Sequence, residues 1–155
     1  MDVMKLIAVT GTNGKTTTCF MLDTIFSAAL CKCGIIGTVY CRTPKRLLDI
    51  GAGGMTTPEP DVLYRVLDKM REDGAEYVFI EATSHALALG RLAPLKFEAA
   101  IFTNLTSDHL DFHGNLENFL KRLRQLGGEY FEYYSVYLLE RYSMKNGSLY
   151  RPGGS

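Results

Sequence analysis

Histidine is scarce in this chain, and neither sign of charge predominates. There are 3 histidines in 155 residues, and 17 Lys and Arg balance 17 Asp and Glu. The even balance gives no electrostatic ground for nucleic acid as the main partner, because phosphate-backbone binding needs a basic excess. His85, His109 and His113 are too few and too irregularly placed for a hydrolase centre built on repeated histidine ligands. Four cysteines, Cys19, Cys31, Cys33 and Cys41, crowd into the first third of the chain. Only Cys31 and Cys33 are near neighbours, and no second Cys or His pair stands at zinc spacing, so free thiols in a reducing cytoplasm are expected. No apolar run is long enough to span a bilayer, which removes the membrane as an expected partner. The N-terminus lacks a charged segment followed by an apolar stretch and a cleavage site, so a cytoplasmic location is expected. No internal repeat is visible.

What is present is a chain with 46% apolar residues, enough for one domain with a real core. Its organising stretch is Lys5 to Thr18, KLIAVTGTNGKTTT. Leu6, Ile7, Ala8 and Val9 read as a buried strand of a parallel sheet. Gly11, Thr12, Asn13 and Gly14 form a tight polar turn, and Lys15, Thr16 and Thr17 open a helical pattern. Strand, glycine loop and helix in this order make a phosphate cradle. Backbone N–H groups converge on phosphate oxygens, and the helix N-terminus adds partial positive charge. In that motif Lys15 neutralises the β- and γ-phosphates, and the Thr16 hydroxyl binds Mg²⁺. Val9 stands where the strict motif has its first glycine, so the glycine spacing is a variant. A plain Gly-Asn turn is the alternative.

The remaining chain alternates strands and helices. Thr16 to Leu30 has helical apolar spacing, and Gly34 to Tyr40 is β-rich. Cys41 to Met55 reads as an excursion, with a hairpin as one form of it. Pro58 and Pro60 precede a helix with Val62, Leu63, Val66, Leu67 and Met70 on one face and Gly74 as its stop. Tyr77 to Ala82 is the next buried strand, Thr83 to Leu89 a short helix, and Ala99 to Thr103 a further strand ending at Asn104. Glu117 to Leu126 is helical in pattern. The alternation predicts an α/β fold, a mostly parallel sheet with helices on both faces in the manner of phosphate-loop NTPases. Sites in such sheets collect at the carboxyl ends of the strands. Gly11–Thr17, Glu81–His85 and Asn104–His113 each follow such an end. Glu81 closes a hydrophobic strand, where a carboxylate is costly unless paired or bound to a cation, and an acid on a strand next to the loop suits Mg²⁺. A capping or salt-bridged glutamate is the alternative. Ser84 and His85 do not read as a catalytic pair, since sequence neighbours seldom face each other. From Gly127 onward six of the 9 tyrosines appear without sustained periodicity, and the last ten residues read as a loose polar tail. The expected division is 1–126 for the nucleotide-binding domain and 127–155 for an atypical tail.

GTNGKTTT resembles the ATP loop of the Mur ligase family, ATP-dependent amide ligases of peptidoglycan precursor synthesis. Thr56-Thr57-Pro58-Glu59, the stretch EATSHAL at 81–87 and FTNLTSDHLDFHG at 102–114 sharpen the resemblance to the MurE type, which adds the third amino acid to a UDP-muramoyl dipeptide. The likeness covers about residues 4 to 121, with the motifs in the family's order. It implies a central ATP-binding domain that uses ATP and Mg²⁺. It implies Gly11, Thr12, Asn13, Gly14, Lys15, Thr16, Thr17 and Asn104 as the nucleotide set, and Thr16, Glu81 and His109 as metal ligands. Lys15, Glu81 and His109 carry the catalysis in this reading, with Asp108, Asp111 and His113 as weaker candidates. Thr56, Thr57, Thr83 and Arg91 match substrate-contacting positions, Thr83 where serine is more usual. Arg91 is suited to a bidentate pair with a carboxylate or phosphate.

The implied reaction transfers the ATP γ-phosphoryl to the glutamate side chain of UDP-N-acetylmuramoyl-L-Ala-D-Glu. An amine of diaminopimelate or lysine then attacks the acyl phosphate. Two departures shape the expectation. Family members have domains before and after this one, so this chain is expected to be a central domain alone and inactive in amide formation by itself. The family also places a carbamate-modified lysine where this chain has Leu123, and Lys121 is two positions away on the helical pattern. A nucleotide-binding module without ligase activity, or another ligase of the superfamily such as a folylpolyglutamate synthase, are the alternatives.

Overall fold

The computed structural model describes residues 4–50, 56–93 and 95–104, together with the backbone of 143–145 and 148–150. Six strands form one sheet in the order β4-β3-β2-β5-β1-β6: β1 is Lys5–Thr10, β2 Cys33–Ile36, β3 Cys41–Arg42, β4 Leu47–Leu48, β5 Tyr77–Glu81 and β6 Ala99–Phe102. β1 lies parallel between β5 and β6, and β2 runs parallel to β5. The short hairpin β3–β4 adds antiparallel at the other edge, beside β2. The expected α/β architecture, mostly parallel, is the architecture observed.

Alternation along each strand explains why both faces are covered. Leu6 and Ala8 of β1, and Val78 and Ile80 of β5, belong to one apolar cluster with Leu63, Val66, Leu67 and Met70 of helix α2 (Pro60–Glu72). Ile7 and Val9, with Phe79 of β5 opposite Ile7, belong to the second cluster, against Cys19, Leu22 and Phe26 of helix α1 (Lys15–Ala28). A period of two sends neighbours to opposite faces, so an unbroken apolar run is what a doubly covered strand requires. α2 meets its face through the i, i+3, i+4, i+7 spacing of those four residues. Asp61 in its first turn and Lys69 and Arg71 in its last complement the helix dipole. Helix α3 (Ser84–Ala88) adds Leu87 to the α2 side. Among the described residues no helix is long and apolar enough to cross a membrane.

The three helices among the described residues end in the same way. After α2, Ala75 N–H reaches Met70 O and Gly74 N–H reaches Arg71 O. After α3, Arg91 N–H reaches Ala86 O and Gly90 N–H reaches Leu87 O. After α1, Cys31 N–H reaches Phe26 O and Leu30 N–H reaches Ser27 O. This paired pattern needs a left-handed residue just past the helix. Glycine supplies it at Gly74 and Gly90, but at α1 the residue is Leu30, with φ of 65° and 90% exposure. A β-carbon costs roughly 1–2 kcal/mol in that conformation, against the smaller extra chain entropy glycine loses on folding. Leu30→Gly is therefore expected to stabilise the fold by about 1 kcal/mol in urea unfolding, and Leu30→Ala not to.

The structure departs from the sequence reading in two places. β2 stops at Ile36 instead of running to Tyr40, because residues 37 and 38 turn toward a carboxylate of β5, described below. The final segment is not wholly a loose tail: Ser143–Lys145 (β7) and Ser148–Tyr150 (β8) pair antiparallel, with Lys145 opposite Ser148. The two residues between them in sequence are Asn146 and Gly147, a dipeptide strongly favoured between hairpin strands, and it is the signal that reading passed over. The expected helix 117–126 and the undecided segment 133–139 lie outside the described residues.

Candidate functional site

Because β1, β2, β5 and β6 run parallel, their carboxyl ends share one edge of the sheet. Four segments emerge there: Gly11–Gly14 after β1, Gly37–Thr38 after β2, Ala82–Thr83 after β5 and Thr103–Asn104 after β6.

The glycine loop is sewn to the end of β6. Thr12 N–H donates to Asn104 O at 2.9 Å, and Asn13 N–H to Asn104 Oδ1 at 3.0 Å. Asn104 Nδ2 donates back to Asn13 O at 3.1 Å, and Thr103 Oγ1 lies 2.7 Å from the same carbonyl. Asn104 thus serves the loop with both ends of its amide, and Thr103, unremarked in the sequence, does so with its hydroxyl. Gly11 makes the close approach possible. Its φ is +131°, and a β-carbon there would lie 2.1 Å from Thr103 Oγ1 and under 3 Å from the Asn104 backbone. Gly14, left-handed at φ 86°, begins α1, and no side chain caps that helix N-terminus. Among the described residues, a β-carbon at Gly14 would meet nothing within 4 Å. Thr17 is exposed there. Lys15 Nζ donates to Gly11 O at 2.8 Å and Thr12 O at 3.0 Å, drawing the ammonium over the loop. Burial holds the Lys15 ammonium below its ordinary 10.5, although nearby Glu81 pulls the other way.

Glu81 ends β5 with 1% exposure. Its Oε2 accepts from Thr16 Oγ1 at 3.0 Å, joining the first turn of α1 to the neighbouring strand end. Thr38 approaches both carboxylate oxygens: its N–H donates to Oε1 at 3.0 Å, and its Oγ1 lies 2.9 Å from Oε2. The same hydroxyl lies 2.9 Å from Thr56 Oγ1. The carboxylate is also a negative neighbour to Cys19, whose thiol is pushed up to about 12, chiefly by burial and secondarily by Glu81.

Thr56, Thr57, Thr83 and Arg91 come together beside this carboxylate. Thr57 is buried, and its hydroxyl donates to Glu81 O at 2.6 Å and accepts from Thr83 N–H at 3.2 Å. Thr83 caps α3, its Oγ1 accepting from Ala86 N–H at 3.1 Å. Arg91 donates from Nη1 to Thr57 O at 3.1 Å and pairs with Glu59, so the carboxylate it meets in this structure belongs to the chain's own 56–59 segment. Ser84 is buried and His85 exposed, so the two side chains part company. His109, with Asp108, Asp111, His113, Lys121 and Leu123, lies outside the described residues.

The sheet order, the glycine loop opening a helix and the acid on the adjacent strand define an α/β domain of the phosphate-loop class. The particular family follows from comparison. The profile of the Mur ligase middle domain matches residues 9–146, and this chain belongs to that family. Three curated relatives share the name UDP-N-acetylmuramoyl-L-alanyl-D-glutamate--2,6-diaminopimelate ligase. That of Leptospira interrogans is 39% identical over 94% of this chain and 28% of its own length. That of Aquifex aeolicus is 42% identical over 82% of this chain and 26% of its own length. That of Bacteroides thetaiotaomicron is 44% identical over 76% of this chain and 24% of its own length. A solved structure of a ligase with the same name superposes with a TM-score of 0.60 at 32% identity, covering 79% of this chain and 24% of that one. The chain thus spans about a quarter of the length of the relatives it matches.

Proposed function

We propose that this chain is the nucleotide-handling middle portion of an ATP-dependent amide ligase that adds diaminopimelate to UDP-N-acetylmuramoyl-L-alanyl-D-glutamate. The carrying observation is the Thr16–Glu81 hydrogen bond of 3.0 Å across 65 positions in sequence, which brings a loop hydroxyl and a strand-end carboxylate together beside a helix N-terminus without a side-chain cap. The names of the relatives favour diaminopimelate over lysine as the incoming amino acid.

A hydroxyl and a carboxylate are hard oxygen donors, and their proximity suits Mg²⁺, which takes few protein ligands when phosphate supplies others. Thr16 and Glu81 would hold that ion, with His109 as the further ligand implied by the family resemblance. Bound there, Mg²⁺ neutralises charge on the phosphoryl group in transfer. The chain's own contribution is placement. Lys15 sets a positive charge over the loop, the N–H groups of the first turn of α1 face the phosphates, and Asn104 with Thr103 fixes the loop. In this reading Thr56, Thr57, Thr83 and Arg91 border the acceptor carboxylate. Arg91 also bonds Thr57 and pairs with Glu59, so it shapes that border as well as faces it.

The test replaces the equivalent segment of a full-length diaminopimelate ligase with residues 9–146 of this chain. Tripeptide formed from ATP, Mg²⁺, the dipeptide and diaminopimelate, seen by mass spectrometry, supports the proposal. A chimera that binds Mg-ATP yet forms none favours the other reading, a nucleotide-binding module, for which Leu123 in place of the family's lysine speaks.

A pH signature follows from Lys15. Its free ammonium sits below 10.5, and phosphate next to it raises it again. The bound state then holds more protons than the free one. Affinity is full below the depressed value and falls as pH rises through it, with proton uptake on binding in that window. Calorimetry in alkaline buffers of differing ionisation enthalpy should register the uptake with the native chain and lose it with Lys15→Ala.

A further inference from the structure

We propose that Thr38, in the turn after β2, is the positioning residue for the Glu81 carboxylate and so sets the affinity of the site for a divalent cation. The inference rests on the reading of Glu81 as the acid that faces the metal. Glu81 has two oxygens, and Thr38 reaches both, with N–H on Oε1 at 3.0 Å and Oγ1 at 2.9 Å from Oε2. A carboxylate held at one oxygen can still rotate about its last bond, whereas one held at both has its plane fixed. The Thr38 hydroxyl carries one proton. Thr56 Oγ1, 2.9 Å away, can donate to it, which leaves that proton for Glu81. Thr16 also donates to Oε2, and a hydroxyl that gives a lone pair to an ion keeps its proton for the carboxylate, but Thr16 reaches one oxygen only, whereas Thr38 reaches both. Gly37, just before it, leaves vacant the space that the carboxylate occupies, since a β-carbon there would lie 2.2 Å from Oε1.

Thr38 is exposed while Glu81 is buried, so its hydroxyl can be removed without opening the core. Thr38→Val keeps the shape and the backbone N–H but loses the hydroxyl, and Thr38→Ser restores it. Each chain is titrated with ATP in EDTA and with ATP at graded Mg²⁺, and Mn²⁺ binding is followed by electron paramagnetic resonance in the presence of ATP. Removing a partner of a metal-facing ligand costs about 10–100-fold in metal affinity. Thr38→Val is expected to raise the half-saturating Mg²⁺ and Mn²⁺ concentrations by about that factor, with the metal-free ATP affinity unchanged, and Thr38→Ser to lie within about threefold of the native chain. An unchanged metal requirement in Thr38→Val overturns the proposal. So does an equal loss with and without metal, which marks a structural role only. Glu81→Gln separates the two levels. If it leaves the metal requirement untouched, the reading of Glu81 itself fails, and if it abolishes the requirement while Thr38→Val does nothing, only the role of Thr38 fails.

Discussion

Lys15→Ala is expected to weaken Mg-ATP binding by roughly 1.5–3 kcal/mol, one to two orders of magnitude in affinity, the range for a hydrogen bond to a charged group. The ammonium is the positive side chain that the loop itself holds in place, through the carbonyls of Gly11 and Thr12 at 2.8 and 3.0 Å. Removing it leaves the phosphates facing the backbone N–H groups alone. The fold should tolerate the change. Lys15 is the first residue of α1, alanine is the best helix former, and the ammonium is not part of either apolar cluster. Titration calorimetry with a parallel unfolding curve therefore separates the effects. Equal affinities in the two chains would remove Lys15, and with it the phosphate-loop reading.

The second large effect concerns a residue with no side chain. In Gly37→Ala the added carbon would stand 2.2 Å from Glu81 Oε1 and 2.9 Å from its carboxyl carbon. Glu81 is buried and bounded by Thr16 and Thr38, so the whole carboxyl group must be displaced. Overpacking of this kind costs about 1–3 kcal/mol, and breaking the Thr38 N–H bond adds to it. Urea unfolding should show the loss of stability, and the Mg²⁺ dependence of ATP binding should disappear with it. Gly34→Ala is the milder contrast, because its added carbon would come no closer than 3.0 Å to the Met70 sulfur and 3.2 Å to the Arg42 carbonyl. A shorter acid should relieve the conflict. The double variant Gly37→Ala, Glu81→Asp is expected to be more stable than Gly37→Ala alone, a non-additivity that only direct contact produces. A Gly37→Ala protein with native stability and native metal dependence would show that the carboxylate does not sit where this account puts it.

The sequence by itself determined the order of the parallel strands and of the helices between them through Phe102. Leu6 to Val9 and Tyr77 to Ile80 are apolar without interruption, which a strand covered on both faces demands. Leu63, Val66, Leu67 and Met70 repeat at helical spacing, and a glycine loop between strand and helix is a local signal, complete within a few residues. The positions of Lys15, Thr16 and Glu81 at strand ends followed from that order alone. Tertiary structure decided what holds them. Asn104 and Thr103 brace a loop about 91 positions earlier in the chain, and Arg91 closes on Glu59 and Thr57. Gly37 and Thr38 leave the strand pattern that GIIGTVY suggests, because a carboxylate 43 positions away draws the backbone out of the ladder. Periodicity reports which face of an element meets apolar surroundings. It carries no record of a single hydroxyl or N–H meeting a charge that arrives from a distant strand, and such pairings depend on the packed fold that brings the two together.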